Sequence, residues 1–218
     1  MAFFFSCKLF CQNLIVDSKN YANIQILNGV IDCNISVYLS GNLTFPNQAT
    51  GARISSFGVS SEKLKIKIQK DNSEFFVEKE LSLSKNEFYT LVLTGNFTEL
   101  LSQPDTDPST AKQYNLNFYL LNNSKPDSNS VSVRIVNGSS NKILSIYRDK
   151  MLQVKVSPGQ VGIAQNQPVS LFMQATAQTS SPLDLYISQE PPTSNITVVF
   201  FGNENLGFKA MLEKSKSE

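Results

Sequence analysis

VRIVNGSSNKILSIY, from Val133 to Tyr147, closely resembles an earlier stretch of the same chain, IQILNGVIDCNISVY, from Ile24 to Tyr38. The two stretches align over their whole length without a gap, at a constant offset of 109 residues. They share an Asn-Gly pair near the middle and a tyrosine at the end. A match of this length predicts that one structural unit occurs twice in the chain.

Two further blocks support the same interpretation. TLVLTGN, beginning at Thr90, resembles TVVFFGN, beginning at Thr197, at an offset of 107. LNFYLL, beginning at Leu116, resembles LGFKAM, beginning at Leu206, at an offset of 90. The order of the three blocks is preserved, so the sequence predicts an internal duplication with copies of small-domain size.

The turn-rich stretches between these blocks suggest boundaries. SQPDTDPSTAKQ, at 102–113, reads as an extra solvated loop within the first copy. The predicted organisation is an N-terminal strand or docking segment at 1–20, a first β-sandwich at 21–123, a linker at 124–130, a second β-sandwich at 131–213 and a tail at 214–218.

The hydrophobic period within each copy is two, which is the period of a β-strand with one buried face. In LKIKIQK, at 64–70, the pattern predicts that Leu64, Ile66 and Ile68 face a core and that the lysines face water. TLVLTG and TVVFFG are apolar almost throughout, which predicts central strands covered on both faces. The predicted fold class is all-β, with two tandem immunoglobulin-like antiparallel β-sandwich domains.

Glycine and asparagine mark the predicted strand ends. The Asn28-Gly29 and Asn137-Gly138 pairs are expected to stop the first strand of each copy, because both residue types tolerate positive φ. Gly95 and Gly202 are expected to do the same after the central strand.

Composition limits the chemistry. The chain of 218 residues contains no histidine, which excludes Ser-His and Cys-His dyads and histidine-ligated metals. Its three cysteines, Cys7, Cys11 and Cys33, are an odd number, unlike a secreted disulfide framework. The formal net charge is +1, so no long-range field favours nucleic acid. The N-terminal apolar runs are too short for a transmembrane segment, although residues 1–20 are a candidate for peripheral docking.

These patterns resemble a known family. A strand such as VRIVNG, a strand ending in tyrosine such as LSIY, and a later TVVFFG strand resemble the tandem β-sandwich domains of an uncharacterised bacterial family with an immunoglobulin-like fold. The resemblance covers both copies and implies a protein that often sits on cell surfaces. It implies no catalytic residues. The free cysteines point instead to the inside of the cell, so the compartment stays unassigned.

Each candidate reactive group also has a simpler structural interpretation. Asp105 and Asp107, in PDTDP, are paired carboxylates that would suit acid/base work or, with Asp127, a weak calcium site, but a solvated turn is the simpler interpretation. A serine nucleophile here could use only a lysine as its base, and the candidate pair Ser61 and Lys63 is expected at a strand edge, which disfavours a catalytic role. No catalytic, cofactor or metal residue is therefore predicted.

Two surface features complete the set. Lys63, Lys65, Lys67 and Lys70 form a basic stripe, interpreted as a guard on an edge strand rather than as a phosphate site. Tyr38 and Tyr147 occupy equivalent places in the copies, which predicts packing at a strand end rather than ligand stacking.

The sequence therefore favours a non-enzymatic structural or adhesive protein with a protein partner or larger assembly. Two alternatives stay open. One is a carbohydrate- or calcium-binding module, and the other is a carboxylate-dependent hydrolase.

Overall fold

A computed structural model describes residues 21–60, 62–99, 114–123, 131–139, 142–148, 151–167, 171–177, 183–187, 195–203 and 205–215. These residues form β-strands and their connections. The first half contains Ala22–Val30 (β1), Ile35–Leu39 (β2), Asn42–Gln48 (β3), Arg53–Val59 (β4), Lys63–Lys70 (β5), Phe76–Ser82 (β6), Phe88–Glu99 (β7) and Tyr114–Asn122 (β8). The second half contains Val131–Ser139 (β9), Leu144–Arg148 (β10), Met151–Val156 (β11), Val161–Gln167 (β12), Leu171–Ala177 (β13), Leu183–Ile187 (β14), Asn195–Asn203 (β15) and Gly207–Ser215 (β16).

The strands form four small sheets, which confirms the all-β prediction. In the first half the sheets have the orders β4-β1-β7-β8 and β3-β2-β5-β6. In the second half they have the orders β12-β9-β15-β16 and β11-β10-β13-β14. Each position in the first pair of sheets corresponds to the position eight strands later in the second pair.

The registers of the paired strands follow the sequence blocks. Asn28 in β1 pairs with Leu93 in β7, and Asn137 in β9 pairs with Phe200 in β15. These positions differ by the 109 and 107 residues found in the sequence. Both pairs run parallel. The expectation of purely antiparallel sheets is therefore wrong for one strand pair in each half.

The third sequence block needs a small correction. Gly95 pairs with Leu116 across β7 and β8, and Gly202 pairs with Phe208 across β15 and β16. The structural offset is therefore 92 residues and not 90. The two-residue slip keeps the same strand face, which explains why apolar residues still matched.

Each half has a core between its own two sheets. In the first half, Ile24, Ile26, Leu91 and Leu93 belong to the same buried cluster as the predicted inward-facing residues of β5. Leu64 is 3% exposed and both isoleucines of that strand are 0% exposed, as the period-two pattern predicted. The second half has a corresponding cluster, which includes Val133, Ile135, Val198 and Phe200.

A third buried cluster joins the two halves. It contains residues of β1, β7, β9, β15 and β16 and the residue that follows β1, namely Leu27, Ile31, Val92, Val136, Val199, Phe201 and Met211. Alternate residues of each central strand therefore point to their own core and to the other half. The strands predicted to be covered on both faces are covered on the second face by the other half of the chain. We call this contact between sheet β4-β1-β7-β8 and sheet β12-β9-β15-β16 the seam.

The Asn-Gly pairs lie at the seam rather than at strand ends, so the predicted role of these pairs is wrong. Both pairs are inside strands β1 and β9 and lie outside the positive-φ region. A Cβ on Gly138 would lie 2.4 Å from Cβ of Thr94, in the other half. A Cβ on Gly29 would lie 3.3 Å from Cγ of Phe201, again in the other half. The glycines therefore permit close approach of the two sheets.

The side chains of the two asparagines bind backbone groups where the chain crosses between the two sheets of each half. Nδ2 of Asn28 donates hydrogen bonds to the carbonyl oxygens of Gln48 and Ala49, and its Oδ1 accepts one from the amide of Val30. Asn28 is fully buried, and its side-chain amide satisfies three backbone groups that would otherwise need water as a hydrogen-bond partner.

Asn137 makes a related set of hydrogen bonds in the second half, to the end of β11 and to the connection between β9 and β10. Its Nδ2 donates to the carbonyl oxygens of Lys142 and Val156, and its Oδ1 accepts from the amide of Ser139. The repeated asparagine is therefore a structural brace in both halves.

Gly95 and Gly202 have φ values of 102° and 121°, so the prediction of positive φ is confirmed at both. The strands nevertheless continue beyond them, to Glu99 and Asn203.

Among the described residues, no helix has the length and apolar character needed to cross a bilayer. The predicted docking segment at 1–20, the extra loop at 102–113 and the linker at 124–130 lie outside the described residues.

Candidate functional site

The lysine stripe lies on an inner strand, so its interpretation as an edge guard is wrong. Strand β5 pairs with β2 on one side and β6 on the other. Nζ of Lys63 lies 3.1 Å from a carboxylate oxygen of Glu80, and Nζ of Lys65 lies 2.6 Å from one of Glu78. Hydrogen bonding to Glu78 raises the pKa of Lys65. Two of the four positive charges of the stripe are thus balanced by the neighbouring strand, which disfavours a phosphate site.

Sheet β3-β2-β5-β6 is the sheet of the first half that does not form the seam, and we call it the outer sheet. A groove of about 350 Å³ lies at one end of it, and we call this the outer groove. Strands β2 and β3, the end of β5 and the turn that follows β5 supply its lining. The lining residues are Ser36, Tyr38, Pro46, Asn47, Gln69, Lys70, Asp71 and Asn72. Most of these side chains carry hydrogen-bonding groups, and one is aromatic.

Hydrogen bonds hold the polar side of the outer groove. The Ser36 hydroxyl donates to Oδ1 of Asp71, while its oxygen accepts from the backbone amide of Asn47 at 3.2 Å. Nδ2 of Asn34 donates to Oδ1 of Asn47 at 2.6 Å. These bonds leave Oδ2 of Asp71 and Nδ2 of Asn47 with capacity for further partners.

The backbone also shapes this end of the sheet. Asn47 and Asn72 have φ values of 52° and 54°, in the left-handed region that asparagine tolerates better than most residues. Gln69 donates a hydrogen bond to the carbonyl oxygen of Ser73, which fixes the turn after β5. Asp71 and Asn72 are thus held in a defined turn, and the other lining residues are on strands.

Tyr38 is the penultimate residue of β2 and is partly buried on the outer face of the sheet. Nζ of Lys67 lies 4.4 Å from the centre of the Tyr38 ring and 4.9 Å from the centre of the Phe76 ring. Such cation–π contacts orient the rings. Phe76 is 48% exposed, so an aromatic surface continues across the sheet beside the groove.

Sequence reasoning missed most of the groove. It singled out Tyr38 and Lys70 but not Asn47, Gln69 or Asp71, because these residues lie on different strands and turns. One signal was available. Lys70-Asp71-Asn72-Ser73 is a turn sequence directly after the clearest alternating strand, and turn residues at a strand end often carry binding groups.

The carboxylate candidates at Asp105, Asp107 and Asp127 lie outside the described residues, as does Ser61. Within the part of the chain that the structure describes, no group of three or more cysteine, aspartate or glutamate residues is arranged to hold a metal ion.

Cys33 is a free thiol within that part of the chain. Burial, followed by the negative charge of Asp32, raises the pKa of its thiol to about 11. A thiol with so high a pKa is a poor nucleophile at neutral pH.

Arg134 is a buried cation with a structural role. It is 5% exposed, and burial lowers its pKa to about 10. Its guanidinium donates to the carbonyl oxygen of Asn122, to Oδ1 of Asn123 and to Oγ1 of Thr197. Asn122 is the last residue of β8 and Asn123 follows it, so Arg134 fastens the end of the first half to the second.

Comparisons with known proteins give little guidance. No family model matches the sequence, and no curated protein is similar to it. One similar solved structure is that of CBMbc, of family CBM26, from Eubacterium rectale Amy13K in complex with maltoheptaose. The sequence identity is 10%, the TM-score is 0.25, and the match covers 91% of this chain and 98% of the other. A likeness this distant assigns neither a family nor a ligand to this chain.

Proposed function

We propose that the protein is a carbohydrate-binding protein without enzymatic activity and that the outer groove holds a sugar of a glycan chain. One observation carries the proposal. The ring of Tyr38 lies beside a carboxylate, two asparagines and a glutamine in one groove at the surface of a sheet. An aromatic ring stacks on the apolar face of a pyranose, and planar amide or carboxylate groups bind its hydroxyls.

The charges of the groove favour a neutral glycan. Lys70 and Asp71 both line it, so it has no excess of either sign. An acidic polysaccharide would gain little electrostatic attraction here, because the other lysines of the stripe are paired with β6 or stacked on aromatic rings.

The test uses the two equivalent tyrosines. Binding of the wild-type chain to starch, cellulose, chitin and xylan is measured by sedimentation, followed by isothermal titration with oligosaccharides of any polysaccharide that binds. Tyr38→Ala is expected to weaken the affinity by about 10- to 100-fold, because a stacked aromatic side chain contributes about 1.5–3 kcal/mol. Tyr147→Ala, at the equivalent position of the second half, is the matched control.

The control separates a binding effect from a folding effect. Both tyrosines are partly buried in the structure, so each substitution removes some packing. The proposal requires that Tyr147→Ala binds like the wild type. No binding to any of the polysaccharides, or equal losses in the two variants, would contradict it.

We infer that the two halves are tandem immunoglobulin-like β-sandwiches that arose by internal duplication. The recurring strand order and the parallel registers at offsets of 109 and 107 support this inference. The duplication does not extend to the surroundings of the repeated tyrosine. The partner of Tyr38 on the neighbouring strand is Lys67, whereas Tyr147 pairs with Gln174.

A second candidate function is that of an adhesive or structural component. Strand β11 is an edge strand of its sheet, and its Met151 and Leu152 are 65% and 46% exposed. An exposed apolar edge strand can pair with a strand of another chain. Leu152→Lys is expected to abolish a complex that forms through this edge, as measured by light scattering coupled to size exclusion. A complex that survives the substitution would contradict this candidate.

A further inference from the structure

A pocket of about 160 Å³ lies at the edge of the seam, and we call it the charged pocket. Both halves of the chain contribute to it. The first half supplies Ile31, Asp32 and Thr50, and the second half supplies Phe201, Gly202, Leu206, Gly207 and Lys209. The volume corresponds to roughly five water molecules, so only a small ligand fits. Pockets between structural units are common ligand sites in proteins.

The charged pocket carries one acidic and one basic side chain, which come from opposite halves. Asp32 belongs to the connection between β1 and β2, and Lys209 belongs to β16. Both residues are exposed, so their charged groups are open to a ligand. Met211, two residues after Lys209 on the same strand face, belongs to the buried cluster of the seam. The side chain of Lys209 therefore leaves β16 on the side of the first half.

The two charges of the pocket do not neutralise each other directly. Among the described residues, no ion pair joins Asp32 to Lys209. Partial burial raises the pKa of the Asp32 carboxyl, and the positive charge of Lys70 opposes this only in part. A further cation close to Asp32 would stabilise the ionised carboxylate.

The repeat shows that this pair of charges is specific to one copy. At the offset of 109 residues Asp32 corresponds to Asn141, and at the structural offset of 92 residues Lys209 corresponds to Asn117. The other copy therefore has an uncharged amide residue at both positions. The fold of the repeated unit does not require either charge, so the pair is a feature of this pocket.

The rest of the lining offers apolar surface and a hydrogen-bond acceptor. Leu206 is 51% exposed, and its backbone amide donates to Oδ1 of Asn203 at 2.8 Å, which holds the turn between β15 and β16. The Thr50 hydroxyl donates to the carbonyl oxygen of Val30 at 2.6 Å. The hydroxyl oxygen of Thr50 can therefore accept a further hydrogen bond.

We propose that the charged pocket binds a small apolar α-amino acid, with its ammonium group at Asp32 and its carboxylate at Lys209. An amino acid carries both opposite charges on one small molecule, and its side chain would lie against Leu206. A simple anion or cation would meet a like charge on one side of the pocket. The inference does not rest on the glycan proposal, because no residue lines both the charged pocket and the outer groove.

The test is a titration of the isotope-labelled full chain with glycine, alanine and valine, followed by NMR. Valine at millimolar concentration is expected to give saturable shifts at the amides of Asp32, Gly202 and Gly207. It is expected to bind more tightly than glycine, because its side chain contacts Leu206. The absence of saturable shifts with all three amino acids, or equal affinity for glycine and valine, overturns the proposal.

Two derivatives distinguish a free amino acid from the end of a peptide, which carries only one of the two charges. N-acetylvaline lacks the ammonium group, and valinamide lacks the carboxylate. Each is expected to bind at least about tenfold more weakly than valine, as the loss of a hydrogen bond between charged groups implies. If either derivative binds as tightly as valine, the proposal fails.

Variants assign each charge to its partner. Asp32→Asn is expected to bind valine and N-acetylvaline equally, because the partner of the ammonium group is gone. Asparagine also tolerates the φ of 67° at this position. Lys209→Gln is expected to bind valine and valinamide equally. A variant that keeps the wild-type discrimination between its two probes refutes the assignment.

Lys155→Gln is the matched control. It makes the same change of charge at an exposed residue of β11 that lines neither the charged pocket nor the outer groove, so it is expected to bind valine like the wild type. Asp32 and Lys209 are exposed, so their variants are expected to melt within about 2 °C of the wild type. An equal loss of binding in Lys155→Gln would show that net charge controls binding, and the proposal would fail.

Discussion

The close approach of the two halves at Gly138 gives a quantitative prediction. In Gly138→Ala the new Cβ would lie 2.4 Å from both Cβ and Cγ2 of Thr94. Carbon atoms in contact prefer about 3.5–4.0 Å, so the sheets must separate by about 1 Å or the side chain must move. Overpacking of this kind costs about 1–3 kcal/mol. The loss of glycine freedom in the unfolded chain offsets about 0.4–1 kcal/mol of it.

We therefore expect Gly138→Ala to lower the free energy of unfolding by about 1–2 kcal/mol, measured by urea denaturation. Gly29→Ala is the matched control. The nearest atom to its new Cβ is the carbonyl oxygen of Leu93 at 3.0 Å, so smaller adjustments suffice and the loss is expected to be smaller than that of Gly138→Ala.

A double-mutant cycle isolates the contact between halves. Thr94→Gly removes the atoms that the new methyl group meets, so the double variant is expected to be more stable than the sum of the two single changes by about 1–2 kcal/mol. Strict additivity, or a Gly138→Ala variant as stable as the wild type, would refute the packing of the two halves described here.

Three other predictions concern single residues. Asn28→Ala is expected to lower the free energy of unfolding by about 2–4 kcal/mol because it leaves buried backbone groups without partners, whereas the exposed Asn42→Ala control changes it by less than about 0.5 kcal/mol, both measured by urea denaturation. Burial raises the pKa of Glu213, despite the opposing charge of Arg53 at 3.0 Å. The folded state therefore binds this proton more tightly than the unfolded state, and stability from this group is full below its ordinary pKa and falls as the pH rises through the folded pKa. Glu213→Gln is expected to flatten this part of the pH dependence of the melting temperature, and an unchanged profile would contradict the assignment. Cys33 is expected to react with iodoacetamide about 100-fold more slowly in the folded than in the unfolded chain at pH 8, as followed by peptide mass spectrometry, because its pKa of about 11 lies two units above the ordinary value of 9.0. Equal rates would contradict its burial.

Local patterns in the sequence predicted the strands well. The alternation in β5 placed Leu64 and the two isoleucines in the core, and the offset blocks matched the parallel registers of β1 with β7 and of β9 with β15. These features depend on residue spacing along one strand or on repeated spacing in two strands, which a single sequence displays directly.

Features that depend on the position of a strand in its sheet could not be predicted in this way. The lysine stripe was assigned to an edge strand, although β5 is an inner strand. The order of strands in a sheet is set by long-range packing, and a pattern in one strand gives no access to it. The apolar strands were correctly expected to be covered on both faces, but nothing local showed that the second cover is the other half of the chain.

The Asn-Gly pairs illustrate the same limit. Asparagine and glycine tolerate positive φ, so a turn was the natural expectation. The structure uses a different property of each residue. The side-chain amide of Asn28 holds three backbone groups, and the missing side chain of Gly138 admits Thr94. Residue type alone does not distinguish these uses, because both depend on atoms far away in the sequence.

The outer groove was missed for a related reason. Its aromatic residue lies on β2 and its carboxylate lies in the turn after β5, and pairing of these two strands brings them together.

The most direct test of the proposed function is to map the surface that a glycan occupies. In NMR spectra of the labelled chain with the tightest-binding oligosaccharide, the account predicts intermolecular NOEs from sugar protons to the ring of Tyr38 and to the side-chain amide of Asn47. NOEs confined to the second half of the chain, or a bound oligosaccharide that gives none to Tyr38, would contradict it.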